Sequence, residues 1–219
     1  VFKDLGVIEV DDLDELIDVA QLLVRKMPTG DEKIAIFASS GGAGSLCADN
    51  VGVGELELAE FAPETVAKLD AILPTFAATS NPVDTTSISI SHPEVYRDAL
   101  VITAQDPNVG LVLAPQPMDY GSISVINAQS FIDAQAVSDV PIVPIWMSER
   151  QGEGYHALAA GGLVPFRSLR NMRKALRRWI DYGQWQATRD TGWVPAVIGQ
   201  GTQASPVATR TMTEVEGKR

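Results

Sequence analysis

The feature that most constrains the fold is the alternation of short apolar runs with helical patterns along the chain. Continuous apolar runs of about five residues are typical of strands buried on both faces of a parallel sheet. The helical segments between them supply the crossover connections that parallel strands require. The alternation therefore predicts an α/β fold, a doubly wound five-stranded parallel sheet in a three-layer α/β/α arrangement. The predicted strands are 33–38, 55–60, 109–114, 140–146 and 163–166.

Helices are predicted from the spacing of apolar residues between these strands. The first is the clearest, because apolar side chains recur there at i, i+3, i+4 and i+7 without a miss. These side chains are Leu13, Leu16, Ile17, Ala20, Leu23, Val24 and Met27. Asp12 and Glu15 have the spacing of a capping box at the start of this helix. The predicted helices are 12–27, 44–51, 63–73, 92–105, 124–137, 152–162 and 168–185.

Charge and composition exclude several classes of protein. The 219 residues carry a net charge of −11, whereas a nucleic-acid-binding protein needs a basic face. No apolar run approaches the roughly 20 residues of a membrane-spanning helix, and the first residues do not read as a secretory signal. The single cysteine, Cys47, excludes an internal disulfide and is compatible with a reducing, cytoplasmic setting. We therefore expect no nucleic-acid partner and no membrane partner.

A glycine-rich turn at 39–45 follows the first predicted strand, in the stretch KIAIFASSGGAGSLCADN. Ligands of open parallel sheets collect beyond the carboxyl ends of the strands, where this turn is predicted to lie. Glycines let a ligand approach the backbone, and the following helix offers free N–H groups and the positive end of its dipole. The turn is thus a candidate phosphate or anion site, formed by Ser40, Gly41, Gly42, Ala43, Gly44 and Ser45.

The motifs of well-known nucleotide sites are missing from this turn. It lacks the Gly-Lys-Ser/Thr ending of a phosphate-binding loop, and Cys47 replaces the third glycine of a dinucleotide G-x-G-x-x-G pattern. A tight turn whose glycines only permit close packing explains the residues equally well, so anion binding and close packing remain open alternatives. In either case we expect valine at Gly42 or Gly44 to strain the turn.

Two further segments supply candidates for a substrate pocket. The loop 78–87 contains NPVDTT, which places Asn81, Asp84 and Thr85 together, although Asn-Pro and Asp are also ordinary turn residues. The stretch APQPMDYGS after the third predicted strand contributes Gln116. No metal site is predicted, because the two histidines have no neighbouring cysteine or carboxylate pattern with metal-ligand spacing.

The remaining charged and polar candidates have ordinary explanations. His92 reads as a surface cap of a helix, and His156 reads as a packed histidine. A basic run in the last helix is most simply a solvated face. A sharper hypothesis makes it a docking surface for an acidic domain or a phosphate-rich ligand. The run consists of Arg167, Arg170, Arg173, Lys174, Arg177 and Arg178.

Several segments resemble, in order, one domain of the NDP-forming acyl-CoA synthetases, the superfamily of ADP-forming acetyl-CoA synthetase and succinyl-CoA synthetase. They are GVIEVDDLDELIDVAQLL, KIAIFASSGGAGSLCADN, LELAEFAPETVAKLDAILP, NPVDTT, DPNVGLVLAPQP and the closing VPFRSLRNMRKALRRWIDYGQW. The resemblance covers about residues 5–187 and implies a flavodoxin-like domain at 1–187. It also implies a linker at 188–211 and, in MTEVEGKR at 212–219, the start of a truncated ATP-grasp-like domain.

The resemblance implies a function that this domain performs together with others. Enzymes of this family form acyl-CoA, ADP and phosphate from an acid, CoA and ATP, through an acyl phosphate and a phosphohistidine on another domain. The implied cofactors are CoA and ATP/ADP with Mg. The implied partners are the CoA-binding, phosphohistidine and ATP-grasp domains or subunits, with a carboxylic acid as substrate. The turn at 41–45 is implied to support the phosphoryl site, and the fragment is not expected to be active alone.

An alternative from a different class is a non-catalytic flavodoxin-like binding or regulatory module. A receiver-type module needs acidic residues and a lysine at the ends of its strands. Here Asp31 and Glu32 precede the first predicted strand, and no lysine ends the last one. This disfavours a receiver and leaves other binding modules open.

Overall fold

The computed structural model describes residues 2–25 and 33–189. Val1–Gln186 form one compact unit, and Ala187–Arg219 form a second unit of which only the end of the last helix is described. The predicted linker from residue 190 onward and the predicted start of a following domain at 212–219 lie outside the described residues. Both stay predictions, as does the domain boundary near 187.

A parallel sheet of four strands occupies the centre of the first unit. The strands are β1 (Ile34–Ala38), β2 (Val83–Asp84), β3 (Leu111–Gln116) and β4 (Ile142–Trp146), in the order β2-β1-β3-β4. All three pairings are parallel. Every residue of β1, β3 and β4 is buried, because helices cover both faces of the sheet. The predicted α/β class and the parallel sheet are confirmed.

The predicted count of five long strands is not fully reproduced. The segments 55–60 and 163–166 each contribute a single parallel bridge, between Leu58 and Ile34 and between Phe166 and Ile145. With these two segments included, the order across the sheet is 55–60, β1, β3, β4 and 163–166. Numbered along the chain as the five predicted strands, this is the 2-1-3-4-5 order of a flavodoxin-like fold. The segment 55–60 is cut short because β2, which lies in the predicted loop 78–87, pairs with the second half of β1.

A side chain completes the outer edge of β1 between these two short pairings. The Asn81 Nδ2 donates to the carbonyl oxygens of Ile34 at 2.8 Å and Ala59 at 2.9 Å. Its Oδ1 accepts the N–H of Ile36 at 2.9 Å. The amide of Asn81 thereby satisfies buried backbone groups that a longer neighbouring strand would otherwise pair.

Within the described residues, eight α-helices flank the sheet. They are α1 (Leu13–Leu23), α2 (Gly41–Val53), α3 (Pro63–Ile72), α4 (Ile88–Ser91), α5 (Pro93–Ala104), α6 (Ser122–Val137), α7 (Glu153–Ala160) and α8 (Leu169–Arg189). Helices α1, α2 and α8 cover one face, around Trp179. Helices α3, α5, α6 and α7 cover the other face, around Tyr96 and Phe131. The three predicted layers are therefore present.

Helix α1 forms where predicted but turns its apolar stripe to solvent. Its buried residues are Glu15, Val19 and Leu22. The exposed stripe consists of Leu13, Leu16, Ile17, Ala20, Leu23 and the cap residue Val24. The buried side is oriented by Glu15, whose carboxylate lies 3.3 Å from Arg178 Nε and 3.6 Å from Lys174 Nζ on α8. Exposed apolar patches of this kind mark surfaces that contact another molecule or domain.

Candidate functional site

The switch point of the sheet lies where β1 and β3 meet at its carboxyl edge. The two strands are hydrogen-bonded neighbours. Helix α2, which follows β1, packs on one face of the sheet, and α6, which follows β3, packs on the other. The two connections therefore leave the sheet in opposite directions, and the region between them is called the β1–β3 crevice. Doubly wound sheets bind their ligands at this position.

Helix α2 begins at Gly41, three residues earlier than predicted. Ser40 is its N-cap, with an extended backbone and no capping bond from its side chain. The N–H of Gly44 donates to the Ser40 carbonyl at 3.0 Å. The N–H groups of Gly41, Gly42 and Ala43 therefore precede the hydrogen-bonded ladder of the helix. The predicted donors belong to the first helical turn rather than to a loop before it.

The glycines of this first turn differ in the space around them. Gly41 and Gly42 are exposed, whereas Gly44 is buried. A Cβ at Gly42 would meet no atom closer than Ser40 Oγ at 4.0 Å, and a Cβ at Gly44 would make ordinary contacts of 3.4 and 3.5 Å. None of the three glycines has a positive φ. The expected backbone strain at Gly42 and Gly44 is therefore wrong, because both lie in regular helix.

Asp84 lies beside the start of α2. Its Oδ2 is 2.8 Å from the position that a Cβ on Gly41 would occupy, so residue 41 has to be glycine for this approach. Its Oδ1 accepts the N–H of Thr86 at 2.9 Å. No lysine, arginine or histidine of the described residues forms an ion pair with Asp84. A carboxylate at this position is stabilised by the positive end of the helix dipole, and its negative charge repels a second anion.

The other predicted pocket residues are bonded within the fold. The Asn81 amide serves backbone groups at the edge of β1. Thr85 is buried, and its Oγ1 donates to the Ala38 carbonyl at 3.1 Å. Gln116 ends β3, is buried, and accepts from Asn127 Nδ2 at 3.2 Å. Only Asp84 of the four lies at the start of α2, and a direct binding role for the other three stays a prediction.

Two loops at the same edge are fixed to each other. Arg150, after β4, places its Nε 3.0 Å from Oδ2 of Asp119, in the loop after β3. The Asp119 side chain is only 2% exposed, whereas that of Arg150 is 79% exposed. Trp146 Nε1 donates to the Arg150 carbonyl at 2.8 Å, and the Met147 N–H donates to the Gln116 carbonyl at 2.9 Å. The ion pair and the Met147–Gln116 hydrogen bond link the segment after β4 to the end of β3 and the loop that follows it.

The Asp119 carboxylate also fills the space in front of the first turn of α7. A Cβ on Gly152, the N-cap of α7, would overlap the Asp119 carboxylate. A Cβ on Gly154 would lie 2.6 Å from the Ser124 carbonyl oxygen. The first turn of α7 is therefore packed against protein. Asp119 carries no distinguishing signal in the sequence, because Asp-Tyr-Gly after a strand is an ordinary turn.

The histidines and the cysteine do not form a reactive centre. His92 caps α5 through its backbone position, with its ring Nδ1 3.3 Å from Glu94. His156 is exposed against the ring of Tyr155, so its prediction as a packed residue is wrong. Burial raises the pKa of the Cys47 thiol to about 12, which keeps the reactive thiolate unpopulated near neutral pH.

Within the described residues, no group of three or more His, Cys, Asp or Glu side chains is placed to hold a metal ion. No helix in the described part of the chain is long and apolar enough to cross a bilayer.

The crevice lies inside a region that matches a known family. A family model described as the ligase-CoA domain matches residues 34–131. This range runs from β1 into α6 and contains both the start of α2 and Asp84. Residues 34–131 therefore resemble the ligase-CoA domain of the NDP-forming acyl-CoA synthetases. The resemblance noted from the sequence is thereby confirmed.

Curated relatives of this ligase-CoA domain are CoA ligases. The chain is 32% identical over 153 residues to the α subunit of ADP-forming acetate–CoA ligase II from Pyrococcus furiosus, covering 67% of this chain and 32% of the relative. It is 37% identical over 112 residues to ADP-forming acetate–CoA ligase I from Archaeoglobus fulgidus, covering 51% and 16%. The chain therefore spans about a third or less of the length of these relatives.

Solved structures share the fold of the ligase-CoA domain. A crystal structure of a Pyrococcus horikoshii OT3 protein superposes with a TM-score of 0.74 at 25% identity, covering 84% of this chain and 43% of that one. The apo dinucleotide-forming acetyl-coenzyme A synthetase 1 of Candidatus Korarchaeum cryptofilum superposes with a TM-score of 0.71 at 18% identity, covering 85% and 41%. These likenesses agree with the flavodoxin-like arrangement described above.

Proposed function

We propose that this chain is one domain of an NDP-forming acyl-CoA synthetase, an acid–thiol ligase that forms acyl-CoA, ADP and phosphate from a carboxylic acid, CoA and ATP. The observation that carries the proposal is the exposed N-terminus of α2 at the β1–β3 crevice, inside the matched ligase-CoA region. Relatives named as ADP-forming acetate–CoA ligases support the reaction class.

In this proposal α2 supports a phosphoryl group that a histidine of another domain carries. The first N–H groups of α2 and its dipole place about half a positive charge at the crevice. Fixed dipoles of this kind stabilise charge in phosphoryl transfer without reorganising during the reaction. Gly42 is exposed and has open space at its Cβ position, which lets a phosphoryl group come close to the backbone.

The non-catalytic alternative is favoured by one observation, the position of Asp84. Its carboxylate already lies beside Gly41, where it stabilises the helix dipole. If this carboxylate is the anion that α2 is built for, the glycines serve close packing and the domain is a structural or binding module. The two functions differ in whether blocking Gly42 affects catalysis.

The proposal assigns CoA, ATP/ADP and Mg²⁺ to other domains or subunits of the synthetase, in a cytoplasmic enzyme. The match covers only 32% and 16% of the two relatives, which supports a role for further domains or subunits. The exposed apolar stripe of α1 supports contact between this domain and such a part, because apolar patches of this kind mark interaction surfaces.

The test compares Gly42→Val with Gly52→Val in the assembled synthetase. Both glycines lie in α2, both are exposed, and neither Cβ position has a neighbour closer than 4.0 Å. The two variants therefore share the cost of valine in a helix but differ in their distance from the crevice. We expect Gly42→Val to slow formation of the phosphoenzyme at least tenfold, in the range seen for loss of transition-state stabilisation, and Gly52→Val to leave it near wild type.

Phosphoenzyme formation from acyl-CoA and phosphate is followed by transfer of labelled phosphate to protein, and stability by thermal unfolding. An equal loss of rate and stability in both variants would favour the packing alternative. Unchanged phosphoenzyme formation in Gly42→Val would remove α2 from the phosphoryl site.

A further inference from the structure

Helix α8 presents a continuous basic side away from the sheet. Its apolar side is buried against the sheet around Met172, Leu176 and Trp179. The basic residues recur at i, i+3, i+4, i+7 and i+8, which places them together on the other side. They are Arg170, Arg173, Lys174, Arg177 and Arg178. This concentration is unusual in a chain whose net charge is −11.

A groove of about 180 Å³ runs along this side of α8. Four cations line it, Arg173, Lys174, Arg177 and Arg178, together with Glu15 of α1 and Gly54 at the end of α2. Gly54 allows the groove to form, because a Cβ there would lie 2.5 Å from Arg173 Cγ. The aliphatic stem of Arg173 thus rests on the Gly54 backbone, and the four cationic residues are half-buried.

Carboxylates balance only part of this positive charge. Lys174 Nζ lies 2.6 Å from Asp11 Oδ2, and Arg177 Nε donates to Asp181 Oδ1 at 2.8 Å. Glu15 faces both Lys174 and Arg178.

Arg170 and Arg173 have no ion-pair partner among the described residues. The four cations that line the groove therefore meet three carboxylates, Asp11, Glu15 and Asp181, so one positive charge remains in excess there, and Arg170 adds a second outside the groove.

We propose that this α8 groove binds a phosphate or diphosphate group, at a site separate from the start of α2. Arginine forks match phosphate oxygens in pairs, and several of them around one anion give charge-assisted hydrogen bonds. The groove volume is below the range of about 300–1,000 Å³ for whole drug-sized ligands. It therefore suits a free inorganic anion or the phosphate end of a larger molecule. The site does not depend on the proposed role of α2.

Glu15 adjusts the strength of this site. Its Oε2 accepts the Asp11 N–H at 2.9 Å, and its carboxylate faces two of the groove cations. The carboxylate is almost fully buried. Because it faces Lys174 and Arg178, it competes with an incoming anion for these two cations. Neutralising Glu15 while keeping its shape frees these cations, and a bound anion should then be held more tightly.

The test titrates the 219-residue chain with inorganic phosphate, inorganic diphosphate and ADP at low ionic strength, by calorimetry. The loss variant is Arg173→Met with Arg177→Met, which keeps the aliphatic stems and removes two guanidinium groups. The matched control is Arg97→Ala, an exposed arginine of α5 that pairs with Asp98 on the opposite layer. We expect the loss variant to weaken diphosphate binding at least tenfold and the control to leave it unchanged.

Glu15→Gln is expected to change diphosphate binding in the opposite direction. It keeps the test decisive even if the loss variant does not fold. We expect it to tighten diphosphate binding several-fold, and we expect binding of all variants to weaken as salt is raised. ADP binding equal to that of diphosphate would support the phosphate end of a larger ligand, whereas binding of the inorganic ions alone would support a free anion. Absence of binding, or binding that survives the loss variant but is removed by Gly42→Val, would overturn the α8 groove.

Discussion

Helices α2 and α7 begin in the same way at the same edge of the sheet, but only α2 remains open. Each starts near a glycine, and each has an aspartate carboxylate at a glycine Cβ position, Asp84 at Gly41 and Asp119 at Gly152. Asp119 is buried and paired with Arg150. Asp84 is half-buried and forms no ion pair with any described cation.

The difference shows that a glycine at a helix start does not by itself make an anion site. In α7 the glycines let protein atoms fill the space in front of the helix, and the paired Asp119 takes the place of an external anion. In α2 the exposed Gly41 and Gly42 leave that space to solvent. Protein atoms next to a glycine Cβ position indicate a packing role for that glycine, whereas solvent there leaves room for a ligand. Replacing each glycine by alanine measures how much free space its Cβ position has.

The largest effect is expected at the second residue of α7. In Gly154→Ala the new methyl group would lie 2.6 Å from the Ser124 carbonyl oxygen, a backbone atom of α6 that cannot swing aside. Overpacking of this kind typically costs about 2 kcal/mol of the free energy of unfolding. Urea unfolding followed by circular dichroism measures the change. A change below about 0.5 kcal/mol, the size of ordinary surface effects, would mean that α7 is as open as α2.

An intermediate effect is expected at the first residue of α2. In Gly41→Ala the methyl group would meet Asp84 Oδ2 at 2.8 Å, but this atom ends a side chain that can move. We expect a loss of about 1 kcal/mol, which disappears when Gly41→Ala is made in an Asp84→Ala background.

Cys47 gives a local readout for this cycle. Its thiol is fully buried in α2, and burial raises its pKa to about 12, so alkylation by iodoacetamide requires the helix to open. Faster alkylation in Gly41→Ala, and a normal rate in the double variant, are the expected results. Additive effects of the two substitutions would show that Asp84 and Gly41 do not interact.

The smallest effect, of opposite sign, is expected at the second residue of α2. Gly42→Ala is matched in position to Gly154→Ala, but the nearest atom to its methyl group is Ser40 Oγ at 4.0 Å. Alanine restricts the unfolded chain and fits the helix, so stability should rise by about 0.5 kcal/mol. The same urea titration measures it, and a destabilised Gly42→Ala would show that the start of α2 is packed like that of α7.

Local patterns predicted the helices better than the sheet edges. The helices predicted at 63–73 and 124–137 are found as Pro63–Ile72 and Ser122–Val137. Strand β2 escaped prediction because Val83–Asp84 is too short to show alternation. The segment 55–60 has strand character, but only Leu58 forms a bridge because other groups already pair with β1.

Periodicity also fails to say which side of a helix faces inward. The pattern of α1 is amphipathic, but Glu15 meets Arg178 from a position 163 residues away, and the side that carries Glu15, Val19 and Leu22 faces inward instead of the main apolar stripe. The candidate site shows the same limit. The N–H groups of α2 follow from the glycine-rich stretch, whereas the approach of Asp84 to Gly41 depends on the tertiary fold and has no local signature.

The Asn81 amide has a consequence for how the domain associates. A strand at the border of a sheet normally offers a row of free N–H and C=O groups onto which another chain can add as a strand. Three short, separate pairings satisfy these groups along the outer side of β1. They are the bridge from Leu58, the side-chain amide of Asn81 and the two residues of β2. This border gives no continuous template for strand addition or for fibril growth. At this border, association through helices and loops is the route that remains.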